Sequence, residues 1–206
     1  MLRFSSLAEI HALVTKRQLS VMDAVEIAMR RGRRRKRWKG WFDVEGSILG
    51  RPFSQVACNQ LYDQGEQDVL EGFFRNATLP TDFKIGLLKT SYALLETDTM
   101  TQVAAQELSN ASDGGYAARA TVTRDATGWP MSQLVSGDWQ LTSLQVVWTA
   151  TGAWTDTTGY MFLMSGGNTT PGNTTGRIIA AAPLNPTRQL QAVNDNVKVT
   201  YNLKLQ

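Results

Sequence analysis

Between residues 6 and 31, apolar side chains recur at three- and four-residue intervals: Leu7, Ile10, Leu13 and Val14, then Val21, Val25, Ala28 and Met29, with no Gly or Pro among them. That spacing lines one face of an α-helix. Ser6 and Ser20 stand where N-caps belong, and Glu9 and Asp23, three residues on, complete capping-box patterns. The pattern predicts a helix–turn–helix pair that breaks near residues 17–20, with an apolar stripe thin enough to need another surface. A further helix is predicted over about 56–74, from Leu61, Tyr62, Val69, Leu70, Phe73 and Phe74, ending near Asn76 before Pro80.

Beyond residue 82 the period changes. The segments "DFKIGLLK" (82–89), "GYAARATVTR" (115–124), "DWQLTS" (138–143), "LQVVWTATG" (144–152), "GYMFLMS" (159–165), "GRIIAAAPL" (176–184) and "NVKVTYNLKLQ" (196–206) are rich in β-branched and aromatic residues. Gly, Asn, Asp or Pro separates most of them, as strand connections require. In the last segment Val197, Val199, Tyr201, Leu203 and Leu205 fall on one side and Lys198, Thr200, Asn202 and Lys204 on the other, the pattern of a half-buried antiparallel strand. About seven short strands without intervening helices predict a mainly β chain, with an antiparallel β-sandwich or jelly-roll-like body. The expected organisation is a helical N-terminal arm at 1–31, a basic and aromatic linker at 32–55, and a helix plus β-sandwich body at 56–206.

Charge sharpens this division. Residues 1–56 hold 12 Lys and Arg against 5 Asp and Glu, and residues 57–206 hold 9 against 13. Most of the excess lies in "RRGRRRKRWKGW" (30–41), which includes Arg30, Arg31, Arg33, Arg34, Arg35, Lys36, Arg37 and Lys39, with Trp38 and Trp41 interleaved. A run of this density neutralises phosphates or acidic side chains and repels itself. Trp38 and Trp41 offer rings to stack on bases or to lie in a protein groove. These ten residues are the candidate contacts to a partner or to nucleic acid. Gly40, Gly46, Gly50 and Pro52 punctuate the stretch that follows, whose Phe42, Ile48 and Phe53 read as linker aromatics and aliphatics awaiting a partner.

Residue types that carry catalysis are sparse. His11 is the one histidine, inside the first predicted helix, where it serves as a packing or surface residue. Cys58 is the one cysteine, so no intrachain disulfide or zinc framework forms, and it reads as a buried free thiol. Asp63, Glu66 and Asp68, or Glu96 and Asp98, supply paired carboxylates but read as solvated faces. "GGNTTPGNTTG" (166–176) is Gly-rich but lacks the Lys of a phosphate-binding loop, and it reads as a mobile hairpin tip. "NDN" (194–196) is a turn signal with an outside claim to a cation. No metal, cofactor or catalytic site is expected. No run of apolar residues is long enough for a membrane span, and the N-terminus lacks the order of a signal peptide.

From residue 59 onward the sequence resembles small virion structural proteins of tailed bacteriophages. The resemblance lies in "NQLYDQGEQDVLEGFF" (59–74) with its Tyr62-x-x-Gly65, in "DFKIGLLK" (82–89), in "GGYAARATVTRDATGWP" (114–130) and in the alternating "NVKVTYNLKLQ" (196–206). It implies a non-enzymatic capsid decoration or cement protein, located in the virion. Its implied partners are the major capsid protein or other virion subunits, further copies of itself within the particle, and packaged DNA if the position is a head–tail connector. A plain nucleic-acid-binding module is the remaining alternative.

Overall fold

In the computed structural model, which describes residues 38–205 apart from Asn76, Leu94, Val135 and Ser136, period-2 alternation governs the last strand. Val197, Val199 and Tyr201 turn inward and are almost fully buried, while Lys198, Thr200 and Lys204 on the other face remain partly exposed. In chain order the elements are β1 (Trp38–Ile48), β2 (Arg51–Cys58), β3 (Gln60–Leu61), α1 (Asp63–Phe74), β4 (Asp82–Lys89), α2 (Met100–Ala105), β5 (Ala120–Thr123), β6 (Met131–Gln133), β7 (Trp139–Thr142), β8 (Val146–Thr149), β9 (Thr158–Ser165), β10 (Arg177–Arg188) and β11 (Asn196–Leu205). They form two antiparallel sheets. One has the order β2-β1-β11-β7-β6, with β8 also paired to β11; the other has the order β3-β10-β9-β4-β5.

The two sheets share one core. Phe42 and Val44 of β1, Trp148 of β8 and Val197, Val199 and Tyr201 of β11 pack with Ile85 and Leu87 of β4, Met161 and Leu163 of β9, and Ala180, Ala182 and Leu184 of β10. The second sheet is buried on its other face too: Leu88, Phe162, Met164, Ile178 and Ala181 join Tyr62, Tyr92, Met100, Val103 and Ala104 in a separate cluster beneath the helices. Strands covered on both faces read as unbroken apolar runs, as "GYMFLMS" does, and those covered on one face alternate. A register shift between Ile178 and Ala180 lets β10 serve both layers.

Helix α1 sits close to the second sheet because Gly65 permits it: a Cβ there would lie 2.5 Å from the carbonyl oxygen of Ile179. Arg177 Nε donates to Asp68 Oδ1 at 2.6 Å, and Ser165 Oγ donates to Asp68 Oδ2 at 2.8 Å, fastening the helix to β9 and β10. Helix α2 begins at Thr99, whose side chain and that of Gln102 form a capping box.

The chain is thus mainly β, with two sheets and two helices among the described residues. These strands form separate sheets and do not close into a barrel or jelly roll. The helices expected at 6–31 lie outside the described residues. Residues 38–55, expected as linker, form β1 and most of β2. Ten residue pairs join β1 to β11 and eight join it to β2, so β1 is an interior strand. The glycines that read as linker punctuation have other roles: Gly46 leaves room for the Phe53 ring and the Asn196 carbonyl, and Leu49 and Gly50, both at positive φ, make a tight hairpin turn. Pro52 is tolerated because β2 is an edge strand. The helix expected from about 56 starts at Asp63, since residues 51–58 extend to pair with β1.

Candidate functional site

Of the ten candidate contact residues, Arg30, Arg31, Arg33, Arg34, Arg35, Lys36 and Arg37 lie outside the described residues. The other three enter the sheet. Trp38 opens β1 opposite Leu205, Lys39 is exposed opposite Lys204, and Trp41 is half-buried opposite Asn202 on one side and Cys58 on the other. Around Trp41 the outer face of this sheet is polar. Asn202, almost fully buried, donates from Nδ2 to Asp43 Oδ2 at 2.7 Å, and its Oδ1 accepts from Gln140 Nε2 at 3.0 Å and Thr142 Oγ1 at 2.9 Å.

The aromatic groups expected to await a partner are absorbed internally. Phe42 is fully buried with its ring 4.8 Å from that of Tyr201, and the Arg188 guanidinium stands 4.5 Å over the Phe53 ring. Cys58, expected buried, is exposed, because alternation along β2 turns Ala57 inward and Cys58 out.

A buried pair of opposite charges holds a loop in place. Arg119 and Glu107 have no side-chain exposure; Arg119 Nη2 donates to Glu107 Oε2 at 2.7 Å and its Nε to Oε1 at 2.9 Å. The remaining donors of Arg119 reach the Asn168 carbonyl at 2.9 Å and the Asn173 carbonyl at 2.7 Å, and the Gly172 N–H donates to Glu107 Oε2 at 2.7 Å. The segment 166–176, expected as a mobile tip, is therefore tied by these two side chains at three backbone positions, and the Arg119 N–H adds a fourth at the Thr169 carbonyl. Tyr116 donates to Glu107 Oε1 at 2.8 Å; burial, reinforced by that carboxylate, holds its phenol far above the usual tyrosine range. Both Glu107 oxygens are engaged by donors, which suits a structural ion pair.

The other carboxylates singled out by sequence divide in two. Asp195 of "NDN" is buried and accepts from the backbone N–H groups of Leu49, Gln191 and Ala192, so it closes a turn. Asp98 accepts from Tyr92, which in turn bonds Tyr62 at 2.6 Å; burial raises both phenols, Tyr62 to about 12. Asp63, Glu66 and Glu96 are exposed. Among the described residues no three His, Cys, Asp or Glu side chains are grouped to hold a metal ion, and no helix is long and apolar enough to cross a membrane.

The described surface also carries two open grooves, one of about 540 Å³ beside the β1–β2 turn and one of about 490 Å³ along α1, lined by Asp63, Glu66, Gln67, Leu70, Glu71 and Arg75. Sequence reading passed over this stripe of α1 as a solvated face; the signal that marks it is the exposed Leu70 and Val69 among the acids. No protein-family profile matches the sequence, and no curated protein matches it either.

Proposed function

We propose that this chain is a structural protein of a phage particle, most simply a capsid decoration or cement protein. In this reading a sandwich-like body carries a basic N-terminal arm that anchors on neighbouring subunits. The observation that carries it is the partition of charge along the chain: residues 1–37 hold ten Lys and Arg against three Asp and Glu, and residues 38–206 hold 11 against 15. The point of attachment supports it. In sequence the basic run is followed directly by β1, which pairs with β11 from Trp38 and with β2 from Trp41, so tension on the arm would load first one ladder and then two along the strand axis. An arm hung on an edge strand would load one. Segments that order on a partner spread a large contact over few residues, at an entropic cost that repetition over a shell offsets.

The density of the basic run favours one second reading, a head–tail connector or tail component whose arm meets packaged DNA. A plain DNA-binding module is the limiting case. Replacement of Arg33, Arg34, Arg35 and Arg37 by Ala separates these readings. For a protein latch, the substituted chain fails to join particles and has no DNA affinity to lose. For DNA contact, the unsubstituted chain binds duplex with an affinity that falls by about three to five decades between roughly 50 and 200 mM salt if some six to ten phosphates are touched.

A further inference from the structure

We infer that the outer stripe of α1 is the docking surface for the basic segment 30–37 of a second copy of this chain. This rests on the arm-as-latch reading above and names the arm's partner. Helix α1 carries Asp63, Glu66, Asp68 and Glu71 and no Lys or Arg within its twelve residues, and its groove is lined by three acids against one cation, Arg75, which follows the helix. Asp68 is turned inward to Arg177 and Ser165, and Glu71 has Arg75 at 3.7 Å. Asp63 and Glu66 are exposed and have no ion-pair partner among the described residues.

Acids in a first turn also favour the helix N-terminus. That does not explain why Leu70, 56% exposed, and Val69, 40% exposed, stand beside them on a face open to solvent. Carboxylates flanking an aliphatic centre match Arg side chains, whose forks pair with carboxylates while their stems cover apolar surface. Segment 30–37 supplies seven Lys or Arg in eight positions, six of them Arg. A contact that joins the arm of one copy to the helix of the next is heterologous, so it propagates around a ring or across a lattice. One helix stripe buries less than the roughly 1,200 Å² of a stable interface, so each contact is weak and gains strength by repetition.

The full chain, followed by sedimentation from about 0.05 to about 0.5 M salt, tests this. The expected result is self-association that fades as salt rises. Reversal of the helix side (Asp63→Lys with Glu66→Lys) or of the arm side (Arg33, Arg34, Arg35 and Arg37→Glu) weakens association by roughly tenfold or more. Both reversals in one chain restore it, which rules out misfolding as the cause of the losses. A wild-type chain that stays monomeric at every salt, or a helix-side reversal that leaves association unchanged, overturns the inference. Helix-reversed protein that still joins particles at normal copy number overturns it while leaving the assembly role standing. Absence of the wild-type chain from particles overturns the assembly role itself.

Discussion

Arg119 and Glu107 are both removed from solvent, and each satisfies the other along with the loop 166–176. Removing one partner leaves a buried charge without compensation, a loss of about 3–5 kcal/mol. Arg119→Ala should therefore lower the denaturant midpoint sharply, and replacing both residues by apolar ones of similar size should recover much of the loss. A fall under about 1 kcal/mol for Arg119→Ala would show that water reaches the site. Arg119 also explains a strand that begins late: "GYAARATVTR" pairs only from Ala120 to Thr123, because the Arg119 N–H is committed to the Thr169 carbonyl. No periodicity announces such a commitment, since the partner lies 50 residues away.

The buried phenols set a pH limit at the same scale. Tyr62, Tyr92, Tyr116 and Tyr201 are all raised, chiefly by burial, so the folded chain holds these protons more tightly than the unfolded chain does. Their contribution to stability is complete below the unfolded value of about 10 and is lost as pH climbs through the folded values, beginning with Tyr62 near 12. Unfolding midpoints should be level up to about pH 10 and fall above it. A midpoint that stays level to about pH 12 would contradict this.

Among the elements, α1 depends on the missing side chain of Gly65. Gly65→Ala would push the helix off the Ile179 backbone and should cost about 1–3 kcal/mol, whereas Gly152→Ala, with open space around it and φ outside the left-handed region, should change stability by less than about 0.5 kcal/mol. Equal effects at the two positions would dissociate Tyr62-x-x-Gly65 from packing. The elements legible in sequence were those with a strong, simple period. Residues 82–89 and the segments around 159–165 and 196–206 form strands as expected. The hairpin of β1 and β2 was hidden because its glycines answer to tertiary neighbours, Gly40 to Tyr201 and Asn59, Gly46 to Phe53 and Asn196. Helix α2 was hidden because six residues show too little of a 3.6-residue period.

For the whole molecule, charge is the property that sequence displays best and location is the one it conceals. The basic run was evident from composition, but that it leads into an interior strand depends on pairing with residues 196–205, at the opposite end of the chain. The acids of α1 looked like any solvated helix face until Asp68 was seen to turn inward and Leu70 outward. Replacing Arg33, Arg34, Arg35 and Arg37 by Ala should change the unfolding free energy by less than about 0.5 kcal/mol, because the latch reading gives their contacts to a partner, while removing the chain from particles. The most direct measurement is the copy number and position of the chain in purified particles, by cryo-electron microscopy with quantitative mass spectrometry. A decoration protein appears as density repeated across the shell, and a connector as a single ring at the neck; particles that contain neither would contradict the proposed role.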